Sequence, residues 1–508
     1  MARDDYDLII RGGAVIDGSG GARFAADVAI AGDRIAALGE LAGASAAREV
    51  DAGGCVVAPG FIDVHTHDDN LLLVNPEMTP KVSQGVTTVV TGNCGVSLAP
   101  WTGGRAPPPP HNLLGDLGDF RFARFADFLD ALDGRPPAIN AACLVGHSTL
   151  RAGAMGTLDR GADKGEIAAM RAHLDEALEA GAIGLSTGLF YEPARAAPTD
   201  EVIALAQALG PAGALYTTHM RDEGANVIES IEETLEIGRA ADVKVVISHH
   251  KVHGVENFGR TRETLALIER AQARQRVALD VYPYIASSTV LQADSYGPGV
   301  RTVITWSKAM PEMAGRDLDD VAAELGVSRN EAVERLSPAG AVYFAMDEDD
   351  VRRVLSYPTA MIGSDGLPHD ERPHPRLWGA FPRVLGHYCR EVGLFGLEEA
   401  VRRMTGLPAQ EFGFAGRGMV AEGAFADLVV FDPDTVIDRA TFDAPTEPAA
   451  GIETVIVNGE IVWRDGAATG ARPGRALRRQ DLQRAAVGAG LKPAPTDDPH
   501  ARRPEDRA

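Results

Sequence analysis

Two histidines one residue apart, His65 and His67, follow directly on the apolar run Phe61 to Val64. Residues i and i+2 at the end of a strand project to the same side, so both imidazoles can face one metal ion. Standing alone, the pair would suit a polar loop equally well. Its setting decides otherwise, because four further strand-like runs also end in metal-binding residue types. Cys94 follows Val86 to Thr91, His219 follows Ala214 to Thr218, His249 follows Val243 to Ser248, and Asp365 follows Thr359 to Gly363. Six N, S and O donors on one rim are enough for one or two divalent ions with an open position for water.

The remaining histidines and cysteines lack that setting. His173 falls in a helical stretch, His111 beside a proline-rich loop and His500 near the chain end, and all three are expected at a solvated surface. His147 and His250 stand next to strand ends, where a role behind the metal and simple packing are equally open. Cys94 lies in Thr91-Gly-Asn-Cys-Gly95, a tight glycine-flanked turn with no base nearby to activate a nucleophile, so a metal thiolate is the better reading. Cys55, Cys143 and Cys389 are read as small buried hydrophobes.

Positioning such donors requires a scaffold of regular spacing. Eight short apolar runs alternate with amphipathic stretches: 61–64, 86–91, 139–145, 182–186, 214–218, 243–248, 277–281 and 359–363. This is the pattern of parallel βα units, and eight of them predict a (β/α)8 TIM barrel whose chemistry sits after the strand C-termini. Short alternating runs at both chain ends, with Asn458-Gly459 as a hairpin turn, predict a small flanking β-sandwich from residues 1–58 plus 411–475, leaving 59–410 for the barrel. The last two barrel strands are separated by about 77 residues, far beyond the ~10–12 that a crossover needs. An inserted subdomain over 286–346, helical around 318–336, is expected there. Pro107 to Pro110 mark a long loop before a helix near Phe122 to Leu132. Residues 476–508, rich in Arg, Pro and Ala, are expected to form a disordered tail.

The 508 residues include 49 Lys+Arg against 72 Asp+Glu, a net charge of −23 that argues against a broad nucleic-acid footprint. No apolar run is long enough to span a membrane, and the acidic start does not resemble a secretory signal, so a cytoplasmic protein is expected.

Gly60-Phe-Ile-Asp-Val-His-Thr-His67, Thr91-Gly-Asn-Cys-Gly95, Thr217-Thr-His219, Ser248-His-His-Lys251 and Gly363-Ser-Asp-Gly366 together resemble the amidohydrolase superfamily, in its D-aminoacylase (N-acyl-D-amino-acid deacylase) branch, over roughly residues 5–475. The resemblance implies one tightly bound zinc ion on Cys94, His219 and His249, with His65, His67 and Asp365 forming a second, weaker position. Ring-opening amidohydrolases carry a carboxylated lysine at the end of strand four. Here that strand reads Gly184-Leu-Ser-Thr-Gly188, and Cys94 takes the bridging place.

The activity implied by this resemblance is hydrolysis of a linear N-acyl-D-amino acid. Zinc lowers the pKa of bound water toward ~7, and Asp365 serves as base toward that water and then as acid toward the departing amine. The substrate carboxylate requires a cation, and Lys251 and Arg376 match family positions, as do Tyr282 and Ser288. Phe190, Tyr191, Tyr343 and Met346 resemble positions that line the substrate pocket. Preference for the D form comes from resemblance alone. The partner is a small molecule, and nothing indicates the oligomeric state. Two other readings compete: a metal-dependent hydrolase of cyclic amides of the hydantoinase or dihydroorotase kind, and a non-catalytic barrel acting in protein association.

Overall fold

The computed structural model describes residues 5–104, 106–293, 296 and 299–482. Eight parallel strands carry it: β1 (Phe61–Asp63), β2 (Val86–Thr91), β3 (Asn140–Gly146), β4 (Gly184–Gly188), β5 (Leu215–His219), β6 (Lys244–Ile247), β7 (Val277–Val281) and β8 (Ala360–Ile362). They pair in chain order in one sheet. The two edges meet just beyond β1 and β8, where Asp365 N donates to His65 O at 2.7 Å and His67 N to Gly366 O at 3.1 Å. A parallel bridge between Thr66 and Gly366 completes the closure.

Local sequence explains these strands. Val86-Thr-Thr-Val-Val-Thr91 is β-branched throughout and buried at every position, as a strand covered on both faces should be. Alternate residues such as Ile62, Val90, Leu144, Leu215, Val246 and Met361 fill the barrel interior, a packed core and not a pore. The crossover helices pack outside. The longest, Lys164–Ala180, begins with a capping box in which the Asp163 carboxylate accepts from the Gly165 and Glu166 amides while Glu166 reaches back to the Asp163 amide.

A nine-stranded sheet joins both chain ends through Val56–Pro59, which pairs antiparallel with Leu428–Phe431. Leu8, Ile10, Val28 and Ile30 from the front pack with Leu428 and Ile456 from the back in a core of their own. The Asn458-Gly459 turn has positive φ at both residues, 47° and 84°, as a two-residue hairpin of the right twist demands.

Several expectations need correction. The insertion contains the helices Leu318–Leu325 and Arg329–Leu336, but also an antiparallel sheet of Ser287–Val290, Thr302–Ser307 and Ala339–Tyr343. All three runs are short: the first two mix Ser and Thr with apolar residues, the third is Ala-Gly-Ala-Val-Tyr, and none alternates apolar with polar as a half-buried strand does. His111 is buried, not solvated: its ring lies between Trp101 and Phe120, and its Nε2 is 3.2 Å from Thr149 Oγ1. The proline-rich loop therefore folds back onto the barrel and fixes this side chain. His173 is half-buried on its helix, and His500 lies outside the described residues. Cys143 is buried, whereas Cys55 and Cys389 are only half-buried. The expected tail begins too early, because Leu477 N donates to Ala141 O and both Leu477 and Leu482 are buried at the N-terminal end of the barrel. Residues 483–508 lie outside the described residues.

Candidate active site

The six strand-end residues converge. His65, His67, Cys94 and Asp365 form one group of donor atoms lying within 4.8 Å of one another, and Cys94, His219 and His249 form a second. Cys94 belongs to both: its Sγ lies 3.3 Å from His65 Nε2 and 3.4 Å from His249 Nε2. On the other side Asp365 Oδ1 is 3.4 Å from His65 Nε2 and 3.2 Å from His67 Nε2. All six are buried.

Three of these residues, Cys94, His249 and Asp365, hold left-handed backbones with φ of 53°, 37° and 50°. Each such conformation costs a non-glycine residue of order 1–3 kcal/mol and persists only where the surroundings fix it. The surroundings do so: the His249 amide donates to Asp280 Oδ1 at 2.9 Å, and the Asp365 amide to the His65 carbonyl. The Cys94 turn is pressed against the end of β4, where a Cβ on Gly188 would meet the Cys94 carbonyl oxygen at 2.1 Å. The cysteine loop thus takes up the space above β4, which carries no lysine.

Electrostatics follow from this crowding. Burial pushes the Cys94 thiol up, but the neighbouring charges of His65 and His249 outweigh it and hold the group well below its ordinary range. Burial likewise opposes ionisation of Asp365, and the Arg376 guanidinium and His65 reverse that, keeping the carboxyl well below the usual carboxylate value. A buried thiolate, four imidazoles and a carboxylate with matching spacing make an N/S/O donor set of the borderline-soft kind that zinc prefers. The buried Nδ1 atoms of His67 and His219 have no hydrogen-bond partner, while Nε2 of His67 lies 3.2 Å from Asp365 Oδ1 and Nε2 of His219 lies 3.6 Å from Glu223 Oε2. The residues fit a zinc ion.

The residues assigned to substrate are placed less uniformly. Arg376 is fully buried, with NH1 2.9 Å from Asp365 Oδ2 and NH2 donating to the Ser288 carbonyl at 3.1 Å. Its guanidinium sits over the Tyr282 ring at 4.6 Å. The Lys251 ammonium lies 5.7 Å from the centroid of the same ring. Met346 lines a small cavity with Lys251 and Tyr282. Phe190 stacks on His219 at 5.3 Å, and Tyr191 packs against the same imidazole at 4.9 Å while its hydroxyl pairs with Thr289 Oγ1 at 3.0 Å. Two do not point into the cluster. The Ser288 hydroxyl donates to Ala341 O within the insertion, and Tyr343 stacks on Tyr296 at 4.3 Å and donates to Val290 O. His250 faces away to Thr264, and His147 pairs with Glu201.

Sequence reading missed three supports. Asp280, near the end of β7, lies 3.4 Å from His65 Nδ1 and accepts the His249 amide, linking the two groups. The fully buried Lys81 joins Asp63, Asp68 and Ser364 directly beneath His65 and Asp365. Glu223, in the loop after β5, lies 2.7 Å from Lys251 Nζ and 3.1 Å from His249 Nδ1. Burial would raise its pKa, but Lys251, His219 and His249 hold it well below the usual range. Strand-end position was a usable signal for Asp280; no spacing marks Glu223.

A closed parallel barrel with metal-ligand types at five strand ends defines a metal-dependent hydrolase of the barrel type. The chain belongs to the amidohydrolase family, whose profile matches residues 48–305 and 298–463. It is 60% identical to D-aminoacylase of Alcaligenes xylosoxydans xylosoxydans, over 93% of this chain and 98% of that protein. A crystal structure of D-aminoacylase superposes with a TM-score of 0.92 at 60% identity, covering 93% of this chain and 100% of the other. N-acyl-D-glutamate deacylase from Bordetella bronchiseptica, solved with zinc and a phosphonate mimic of the tetrahedral intermediate, superposes with a TM-score of 0.90 at 49% identity, over 93% and 99% of the two chains.

Proposed function

We propose that this protein is a zinc-dependent N-acyl-D-amino-acid deacylase, cleaving a linear amide to a carboxylate and a free D-amino acid. The observation that carries the reading is Cys94, shared between two ligand groups above a strand four that has no lysine. His219 and His249 complete the tight zinc position with Cys94, while His65, His67 and Asp365 form the weaker one. The bound ion supplies a Lewis acid for the acyl oxygen and lowers the pKa of water toward neutrality. Asp365 takes the proton of the attacking water on Oδ1, Arg376 holding Oδ2 in place, and delivers that proton to the amine as the C–N bond breaks.

Lys251 and Arg376, both beside the Tyr282 ring, bind the substrate α-carboxylate. Both already face a carboxylate, Glu223 and Asp365 respectively, so they offer no unpaired positive charge to a second carboxylate on the substrate side chain. Leu113, Tyr191, Val290 and Leu367 pack beside Cys94 with Phe190 against them, an apolar surface on which a second carboxylate would be desolvated without a partner. Neutral substrate side chains, methionine-like, fit this lining. The four cysteines are unpaired and Cys94 acts as a thiolate, which suits a reducing cytoplasm. Among the described residues no helix is long and apolar enough to cross a membrane.

Amine release from paired D and L N-acetyl amino acids, with zinc measured on the same sample, tests the proposal. Release from N-acetyl-D-methionine well above the L form and above N-acetyl-D-aspartate is expected. No release from any D substrate by zinc-loaded protein would end it.

A further inference from the structure

We propose that Glu223 is a positioning residue that couples the metal-facing His249 to the substrate-facing Lys251, so that one buried carboxylate sets both the grip on zinc and the affinity for the substrate carboxylate. The inference rests on the function proposed above and deepens it.

Glu223 is held rigidly. Its carbonyl accepts the His253 amide at 2.9 Å, tying the loop after β5 to the loop after β6. The preceding Asp222 carboxylate accepts the Gly224 amide at 2.7 Å and the Asn226 amide at 3.3 Å, closing the turn around it. The side chain is 2% exposed. Its two oxygens serve different neighbours: Oε2 lies 2.7 Å from Lys251 Nζ and 3.6 Å from His219 Nε2, and Oε1 lies 3.1 Å from His249 Nδ1.

The His249 ring is contested. Lys251 Nζ also lies 2.9 Å from His249 Nδ1, and Glu223 Oε1 accepts no aligned hydrogen bond despite its proximity to the ring. Both cannot be satisfied at once, since Nδ1 either accepts from the ammonium or donates to the carboxylate. An imidazole that offers its Nε2 lone pair to a metal carries its proton on Nδ1 and becomes a donor. It then pairs with Glu223 Oε1, and Lys251 loses one acceptor while keeping Oε2. That N–H is turned free beside Tyr282, where the substrate carboxylate is to sit. Filling the metal position and preparing Lys251 are therefore a single rearrangement with Glu223 as its pivot, and such coupling is reciprocal.

The isosteric Glu223→Gln variant tests this with two readings: the half-time of zinc loss to an excess of dipicolinate, and KM against kcat for N-acetyl-D-methionine at saturating zinc. Both are expected to move, zinc loss becoming about tenfold faster and KM rising about tenfold, with a smaller change in kcat. Lys251→Met should raise KM and, by removing the competitor for His249 Nδ1, slow zinc loss, the opposite direction to Glu223→Gln. Glu223→Asp keeps the charge, and should show both shifts at smaller size even if the glutamine variant does not fold. A Glu223 variant that melts earlier but retains wild-type zinc loss, or wild-type KM, would overturn the proposal. Should the wild-type protein hydrolyse no N-acyl-D-amino acid, the functional reading fails, and the comparison of zinc loss still decides for or against Glu223.

Discussion

The two halves of the ligand cluster share Cys94 but are braced by different means. His219 is wedged against Phe190 and Tyr191, and His249 against Glu223, so that side is fixed by aromatic packing and a buried carboxylate. His65 and His67 instead face Asp365, whose other oxygen is taken by Arg376. In the proposed function Asp365 exchanges a proton during turnover, while Arg376 holds its second oxygen and meets the substrate carboxylate. Holding an ion and moving a proton are thus assigned to opposite sides of one sulfur atom, and substitutions on the two sides should fail in different ways.

Removing the shared atom should do the most damage. Cys94→Ala is expected to lose tightly bound zinc and to cut amine release by on the order of 10⁴-fold or more, read by metal analysis and a rate assay on the same sample. Asp365→Asn should separate the halves: kcat falls by ~10²–10⁴-fold, the usual share of a general base and acid, while the tightly bound zinc stays at the wild-type level. Zinc lost in step with activity would show that the sides are not independent. Arg376→Lys keeps a charge but not the planar fork, and a rise of about tenfold in KM is expected from initial-rate kinetics.

The smallest effect concerns stability, away from the cluster. Burial pushes the His111 pKa down to about 4, against about 6.5 in an unfolded chain. Between these values the unfolded state binds the extra proton, so this side chain's contribution is intact above pH ~6.5 and is lost as the pH falls toward 4, at up to ~1.4 kcal/mol per pH unit. Urea unfolding at pH 7 and pH 5 should show a smaller acid loss in His111→Gln than in wild type, with zinc content alike in both.

Much of the barrel was legible because its strands are β-branched runs at regular intervals, and because a rim position gives a lone histidine or cysteine a meaning it lacks elsewhere. The six donors were found that way. The features that escaped notice share one property: they depend on contacts between segments remote in sequence and not on local pattern. Glu223 sits in an aperiodic loop, and Lys81 looks like a surface cation until Asp63, Asp68 and Ser364 close around it. His111 follows four prolines that suggest exposure, yet Trp101 and Phe120 enclose it. The sheet within the insertion rests on pairing between Ser287–Val290 and Ala339–Tyr343, about 50 residues apart, which two short runs without apolar–polar alternation do not announce.

The seam that shuts the barrel joins His65 to residues 364 and 365, some 299 positions along the chain. A ribosome adding ~5–20 residues per second therefore spends on the order of 10 s, between His249 and Asp365, on a polypeptide that carries five of the six donors but neither Asp365 nor Arg376. In the proposed function the nascent chain is therefore silent toward amides until the eighth barrel strand docks. Hydrolytic competence then waits on that seam and not on any earlier part of the barrel.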